Sequence, residues 1–350
     1  MVSPVKWHLL LSSAFVAAFC LVSTARAGEV VFASWGGAYQ DAVRDAWIMP
    51  FTKKTGISVI EDTGPSLAKI KVMVQTGSVS WDVVGTSGVS FVLGVQQGLF
   101  EPVPADLVDQ SHIIPGARSP YGVPSEIFGT LIGYSRQAFP THPPETFADF
   151  WDVKRFPGER ILPARPVTVL EAALMADGVP AADVYNVLST PAGLDRALDK
   201  VRQIRPSVAV WWNSAAQPVQ ALASGDAVMA LGWNGRFQDG EDAGLPIGVS
   251  WAQSILQVGY FLLLKGAPDR REALDFMRYI ASAEAQARLS RFISYGPVRT
   301  DVFEQISPAI QAHLPSSPEH LRDALFVDNA WWAEHGQDAT ERYTSVMQGN

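Results

Sequence analysis

The stretch DAVMALGWNGRF, residues 226–237, carries the most informative pattern in the chain. Its short apolar run, bounded by glycines, predicts a buried strand of a parallel sheet. Ligands of open α/β sheets bind outside the carboxyl ends of the strands. This strand would end in Trp233, Asn234 and Arg236, which offer an aromatic face, an amide and a guanidinium. We therefore expect a cleft at this point, with the rest of the chain supplying its opposite wall.

The composition is that of a globular protein. The chain has 350 residues, of which 47% are hydrophobic and 18% charged, and this length favours two domains. The formal net charge of −8 argues against nucleic acid or an acidic membrane surface as a partner.

The first 27 residues have the pattern of a cleaved signal peptide. Lys6 supplies the positive charge, residues 9–22 are mostly apolar, and residues 25–27 (Ala-Arg-Ala) form a small-x-small cleavage site. We expect export to the periplasm with cleavage after Ala27. The only cysteine, Cys20, lies inside the apolar segment, so the exported chain is expected to have neither a disulfide nor a thiolate metal site.

Strand patterns alternate with helix patterns along most of the chain, which indicates parallel α/β sheets. Two extended segments, near residues 129–134 and 257–261, are the candidate hinges between domains. Residues 245–251 and 257–264 are predicted as two separate strands. The other predicted strands lie near 28–34, 57–60, 81–84, 121–134, 159–162 and 208–211.

The order of motifs resembles the periplasmic solute-binding proteins of bacterial ABC importers, specifically the spermidine/putrescine-binding type. The matching stretches are SWGGAYQ (34–40), PFTKKTGISV (50–59), WDVV with its serine loop (81–88), YGVPSEIFGTLIGY (121–134), SGDAVMALGWNGR (224–236), REALDFMRYIASAEAQARL (271–289) and YGPV (295–298). The resemblance implies two α/β lobes, each a mostly parallel sheet flanked by helices, with hinge strands between them. We assign residues 28–130 plus about 258–305 to the first lobe, and residues 131–257 plus about 306–350 to the second.

The resemblance also implies which residues line a cleft between the lobes: Trp35, Ser87, one of Trp211 and Trp212, and Trp233 with its neighbours. Flat aromatic faces hold a cation by cation–π attraction and an alkyl chain by contact. Each residue has a plainer interpretation. Ser87 could be a helix N-cap, and successive strand residues point in opposite directions, so one of the paired tryptophans would only pack.

The sequence departs from the polyamine-binding pattern where carboxylates are expected. Residues 163–168 read PARPVT and residues 257–260 read QVGY, with no acid. Arg165 and Arg236 instead offer guanidiniums suited to a carboxylate, although either could form a structural ion pair. We therefore predict a carboxylate-bearing amino compound such as 4-aminobutyrate, with Glu126 or an aromatic face receiving its amine. Polyamine binding is the alternative.

Other classes of function fit less well. The six histidines are scattered, with no metal-ligand pair of the HExxH kind, and residues 85–89 (GTSGV) lack the last glycine of a nucleophile elbow. An exported hydrolase and a ferric-ion binder remain open, although ferric-ion binders tend to use adjacent tyrosines and the chain has none. We expect no enzyme activity, no cofactor, a membrane permease as partner, and a monomer that closes around its ligand.

Overall fold

The computed structural model describes residues 28–349, and the predicted signal peptide lies outside them. The strands are β1 (Glu29–Ser34), β2 (Ser58–Thr63), β3 (Val83–Ser87), β4 (Phe100–Glu101), β5 (Gly122–Ser135), β6 (Arg160–Pro163), β7 (Val208–Trp212), β8 (Met229–Trp233), β9 (Ile247–Leu264) and β10 (Ala324–Phe326). The α-helices are α1 (Gly37–Val43), α2 (Met49–Thr55), α3 (Leu67–Thr76), α4 (Gly88–Gln96), α5 (Phe147–Trp151), α6 (Val169–Ala176), α7 (Val184–Leu188), α8 (Pro191–Ile204), α9 (Gln217–Ser224), α10 (Asn234–Asp242), α11 (Arg270–Ile280), α12 (Ala283–Leu289), α13 (Pro308–Gln311) and α14 (Asn329–Gln348). No helix in this part of the chain is both long and apolar enough to cross a membrane.

The strands form one continuous mixed sheet in the order β2-β1-β3-β9-β5-β8-β6-β7. At one end β1 pairs in parallel with β2 and β3, and at the other end β6 pairs in parallel with β7 and β8. The long strands β5 and β9 run antiparallel to each other between these two parallel groups. The predicted α/β class with hinge strands between two lobes is confirmed by this arrangement and by the solved structures described below.

Two separate hydrophobic clusters meet along the long strands β5 and β9. On β5, Ile127 packs in a cluster with β1–β3, α11 and α12, whereas Ile132 packs in a cluster with α6, α8 and α14. On β9, neighbouring residues Leu256 and Ile255 belong to these same two clusters. We call the two packed units the first and the second lobe. The residue boundaries predicted from the sequence fall close to the points where these clusters meet and stay a prediction.

One strand prediction is wrong. Residues 247–251 and 257–264 belong to a single strand, β9, which continues through residues 252–256 between them. Ile255 and Leu256 pair with Thr130 and Gly129 of β5, and Ser254 pairs with Ala324 of β10. This pairing with distant segments keeps the backbone extended where the local sequence suggests a break.

Local sequence explains the helices that support the second lobe. In α8 the side chain of Thr190 accepts a hydrogen bond from the backbone N–H of Gly193, and Pro191 occupies the first turn. Leu194, Leu198 and Val201 then recur on one face and are buried in the second cluster.

Candidate functional site

A cavity of about 350 Å³ lies where the ends of β1, β3, β6 and β8 meet the middle of β5 and β9. It is therefore bounded by both lobes, as expected for ligands at the carboxyl ends of strands. Its lining residues are Trp35, Gly36, Tyr39, Ser87, Glu126, Phe128, Arg165, Trp233, Arg236, Gln257 and Tyr295. A larger depression of about 880 Å³ lies between α2 and α12, away from these strand ends.

Glu126 is the carboxylate of the cavity. The pairing of β5 with β9 shifts register between Pro124 and Ile127, and such bulges re-aim side chains. Glu126 is only 2% exposed and accepts a 2.9 Å hydrogen bond at Oε2 from the hydroxyl of Tyr39. Burial raises the pKa of Glu126 to about 7, although the hydrogen bond from Tyr39 opposes the shift. Neutral pH is therefore close to the midpoint of its titration.

Gly259 of β9 makes room for this carboxylate. A Cβ atom at Gly259 would lie 2.1 Å from Oε1 of Glu126 and 2.9 Å from Oγ of Ser125. Any side chain at position 259 would displace Glu126. Two adjacent strands thus determine where the negative charge of the cavity lies.

Arg165 supplies a positive charge from the loop between β6 and α6. Its guanidinium carbon lies 4.4 Å from the centre of the Trp212 ring and 5.3 Å from that of the Trp233 ring, close enough for cation–π attraction. Burial lowers the pKa of Arg165 from its usual value, and no carboxylate of the described residues counters that effect. The cation is thus partly removed from water, and it has no anionic partner in the described part of the chain.

Arg236 supplies a second guanidinium from the first turn of α10. Its Nη1 lies 3.5 Å from Oδ2 of Asp239, an ion pair one helical turn away. The Nε–H of Arg236 is buried and has no hydrogen-bond partner among residues 28–349. The cavity therefore holds two guanidiniums and one buried carboxyl group. Among residues 28–349, Arg165 has no acidic partner and Arg236 keeps one buried N–H without a hydrogen bond.

Aromatic rings form much of the remaining wall. Phe128 lies 6.0 Å from Trp233 and 5.7 Å from Tyr295, measured between ring centres, and Tyr39 lies 6.3 Å from Tyr295. Trp35 is 47% exposed at the rim, next to Gly36, whose positive φ turns the chain out of β1. The wall can cover the alkyl part of a ligand while the charged groups meet its ends.

The structure brings six of the nine predicted residues into the lining: Trp35, Ser87, Glu126, Arg165, Trp233 and Arg236. Ser87 occupies the N-cap position of α4 but makes no side-chain capping bond. Five lining residues were missed, namely Gly36, Tyr39, Phe128, Gln257 and Tyr295. Gly36, Tyr39, Phe128 and Tyr295 lie in stretches that carry the resemblance, and Gln257 lies in a candidate hinge. The sequence therefore contained these segments but did not show which of their side chains face the cavity.

Three predicted residues, Trp211, Trp212 and Asn234, lie outside the lining. Trp212 is 1% exposed, donates through Nε1 to the carbonyl of Leu231, and lies beneath Arg165. Trp211 packs edge-on against Tyr343. Asn234 is 1% exposed, and its amide forms hydrogen bonds with the backbone of Gly129 and Ser294. Their roles in the structure are packing and support.

The side chain of Asn234 bridges the lobes. Its Oδ1 accepts a 2.9 Å hydrogen bond from the backbone N–H of Gly129 on β5, and its Nδ2 donates a 2.5 Å hydrogen bond to the carbonyl of Ser294. The first residue of α10 is thereby tied to one of the two long strands and to the loop that precedes Tyr295.

The described part of the chain offers no conventional metal site. Within residues 28–349, no three His, Cys, Asp or Glu side chains approach closely enough to hold a metal ion. The ionisable groups at the cavity are one carboxyl group, two guanidiniums and two phenols. This set suits a small organic ligand that carries charge of both signs.

A family comparison agrees with this geometry. The family of bacterial extracellular solute-binding proteins matches residues 46–315. The chain belongs to this family. The suspected resemblance to solute-binding proteins of ABC importers is thereby confirmed, and members of the family act in solute binding for transport outside the cytoplasm.

Two curated relatives cover nearly the whole chain. The gamma-aminobutyric acid-binding protein of Pseudomonas aeruginosa is 35% identical over 335 residues, 95% of each chain. The spermidine/putrescine-binding periplasmic protein of Escherichia coli K12 is 21% identical over 357 residues, 98% of each chain. The relative at higher identity is thus named for an amino acid rather than a polyamine.

Two solved structures share the fold. An ABC transporter substrate-binding protein from Bradyrhizobium japonicum is 37% identical, with a TM-score of 0.85, over 92% of this chain and 100% of that one. A structure described as the Atu4243-GABA receptor is 32% identical, with a TM-score of 0.83, over 92% of this chain and 98% of that one.

Proposed function

We propose that the protein binds a small ω-amino acid of the 4-aminobutyrate type in the cavity between its lobes. The observation that carries this proposal is the charge arrangement of a single cavity. Arg165 lies near two tryptophan rings and has no acidic partner among residues 28–349, while Glu126 is buried in the same cavity. A zwitterion can place its carboxylate against a guanidinium and its ammonium against a carboxylate, which compensates both desolvated charges.

In this proposal Arg165 and Arg236 receive the ligand carboxylate. Both arginines line the cavity, and the buried Nε–H of Arg236 has no hydrogen-bond partner among residues 28–349. Glu126 and the rings of Tyr39 and Tyr295 receive the ammonium group. The names of two relatives, the gamma-aminobutyric acid-binding protein and the Atu4243-GABA receptor, support this ligand class.

A polyamine is the second candidate, supported by the name of the spermidine/putrescine-binding relative. A dication in a low-dielectric cavity needs an acid at each end. The cavity has one buried carboxyl group, Glu126, and two arginines that would repel the second ammonium. The charge balance therefore favours the amino acid.

The proposed mechanism is closure of the two lobes around the ligand. Trp35 on the first lobe is half exposed, as an aromatic rim residue would be before it covers a ligand. The long strands β5 and β9 connect the lobes and would absorb the rotation near residues 129–134 and 257–261. A ligand that touches both lobes stabilises the closed form through its extra contacts there.

The closed protein would then deliver its ligand to the permease of an ABC importer, as the family and the substrate-binding neighbour suggest. We further propose that the protein is exported to the periplasm with cleavage after Ala27, works as a monomer and catalyses no reaction.

Calorimetric titration of the purified protein tests the proposed ligand. We expect 4-aminobutyrate to bind, and butyrate and putrescine, which each lack one of its charged groups, to bind about 100-fold more weakly. Tight binding of putrescine with no binding of 4-aminobutyrate would overturn the amino-acid proposal in favour of the polyamine. Thermal shifts with the same ligands provide an independent check, because a ligand stabilises the folded state by about 2.7 kcal/mol at 100 times its dissociation constant.

A further inference from the structure

The C-terminal helix α14 makes two buried hydrogen bonds to the segment that carries Arg165. The indole Nε1–H of Trp332 donates a 2.7 Å hydrogen bond to Oε1 of Glu171. The hydroxyl of Tyr343 donates a 2.7 Å hydrogen bond to the carbonyl of Pro163. Trp332 and Tyr343 are eleven residues apart on α14, about three helical turns, so they lie on one face of the helix.

These two bonds enclose the arginine loop, which we define as residues 163–171. Pro163 is the last residue of β6, and Glu171 lies in the first turn of α6. Arg165 is between them and reaches the cavity. One rigid helix thus holds both ends of the nine-residue segment from which the guanidinium projects.

The loop itself has an unfavourable backbone conformation. Thr168, directly before α6, has φ of 72°, and it is the only residue other than glycine with positive φ in the described chain. A left-handed conformation at a β-branched residue costs about 1–3 kcal/mol and persists only where the surroundings hold it. The two bonds from α14 provide such support.

Both bonds lie in the interior of the second lobe, where they are strong. Glu171 and Tyr343 are fully buried, and Tyr185 also donates a 2.7 Å hydrogen bond to Oε1 of Glu171. Burial raises the pKa of Glu171, while the bonds from Tyr185 and Trp332 act against this shift. Hydrogen bonds in a low-dielectric interior are strengthened, and leaving a group there unpaired is costly.

From this arrangement we infer that Trp332 and Tyr343 are positioning residues that aim Arg165 at the carboxylate of the ligand. The inference rests on the proposed function, because it takes Arg165 as the anion-binding group. Neither side chain lines the cavity. Their effect on binding therefore passes through the arginine loop, and the far end of the chain contributes to ligand specificity.

A double-mutant cycle tests the inference through the variants Tyr343→Phe, Arg165→Lys and their combination. Tyr343→Phe removes only the hydroxyl, and we expect the dissociation constant for 4-aminobutyrate to rise about 3- to 10-fold. In the Arg165→Lys background, which lacks the planar fork, the same substitution should change the constant less than about 2-fold. Trp332→Phe, at the other end of the loop, should follow the same pattern.

Trp151→Phe is the matched control. Trp151 also donates its indole N–H to a backbone carbonyl, that of Lys200, and packs in the same hydrophobic cluster. The Trp151→Phe substitution should lower the melting temperature without changing the affinity for 4-aminobutyrate. Equal effects of Tyr343→Phe in both backgrounds, or no effect in either, would overturn the positioning role while the ligand proposal stands. If Arg165→Lys itself leaves affinity unchanged, the anion site at Arg165 is wrong and the inference fails with it.

A crystal structure of Tyr343→Phe adds a readout that does not depend on affinity. We expect the guanidinium of Arg165 to leave its position over Trp212 while the rest of the second lobe is unchanged. An arginine loop that superposes on the native one would contradict the inference, even if the Arg165→Lys variant binds too weakly for a dissociation constant.

Discussion

The guanidinium carbon of Arg165 lies 4.4 Å from the centre of the Trp212 indole ring, within the range of cation–π attraction. Trp212 is fully buried and held by its own hydrogen bond to the carbonyl of Leu231. The ring is therefore a fixed platform, which limits the rotamers that Arg165 can adopt. A preorganised guanidinium loses less entropy when it binds a carboxylate than a mobile one does.

Replacing Arg165 by Ala should weaken the binding of 4-aminobutyrate by about 2–5 kcal/mol, because the ligand carboxylate would be buried without its partner. The same change should leave the melting temperature of the free protein equal or higher, since an unpaired and partly desolvated cation is removed. Calorimetric titration and thermal unfolding give the two values. Arg202→Ala, at an exposed arginine paired with Asp199, is the control and should alter neither.

Glu126 should make ligand binding depend on pH. The folded protein holds a proton on Glu126 up to a pKa of about 7, and an ammonium group binds the ionised form. Affinity for 4-aminobutyrate should therefore rise from about pH 5 to about pH 7 and then level off. Titrations across this range should find that Glu126→Gln binds weakly with little pH dependence, whereas the exposed-site control Glu304→Gln keeps the native profile.

The same carboxyl group should destabilise the free protein at neutral pH. The unfolded chain releases the Glu126 proton near pH 4.5, while the folded pKa is about 7, so the unfolded state binds fewer protons between these values. The free energy of unfolding should therefore fall as the pH rises across that interval, by roughly 3 kcal/mol in total from this group. Urea unfolding at several pH values should show this decline reduced in Glu126→Gln. An equal decline in both proteins would show that Glu126 ionises normally.

Trp35 should contribute to affinity without contributing to the stability of the free protein. It is 47% exposed at the rim, so Trp35→Ala removes little buried surface but takes away an aromatic face from the closed complex. We expect a loss of about 1–2 kcal/mol in binding and a change in unfolding free energy within about 0.5 kcal/mol. Phe292 is also 47% exposed but lines the depression between α2 and α12. Phe292→Ala should leave affinity unchanged.

Asn234, unlike Trp35, should contribute to the stability of the free protein more than to ligand affinity. Asn234→Ala leaves the backbone N–H of Gly129 and the carbonyl of Ser294 without their side-chain partner. We expect the unfolding free energy to drop by about 2–4 kcal/mol, measured by urea denaturation. The effect on affinity should be smaller than that of Arg165→Ala. Asn186→Ala, at an exposed site on α7, should be neutral, and a large loss of affinity with normal stability at position 234 would restore it as a ligand contact.

Local pattern located most of the site along the chain but not the direction of its side chains. The end of β8 was correctly placed from residues 226–237, and Trp233 and Arg236 reach the cavity as expected. Asn234, between them, does not, because α10 begins at this residue and turns its amide toward Gly129 and Ser294. The partners of Asn234 are 105 and 60 residues away, and no local pattern contains them.

Apolar runs, glycines and helix caps are short-range features, and they were sufficient for the α/β class and for the strand ends that meet at the cavity, while the resemblance to a known family implied the two lobes. Long-range pairing determined the rest. β9 is one strand because β5 and β10 pair along it, and Trp212 became the platform of Arg165 because the loop after β6 folds over it. The tie between Tyr343 and Pro163 spans 180 residues. Such contacts depend on how distant segments pack, and packing is a property of the whole folded chain rather than of any window within it.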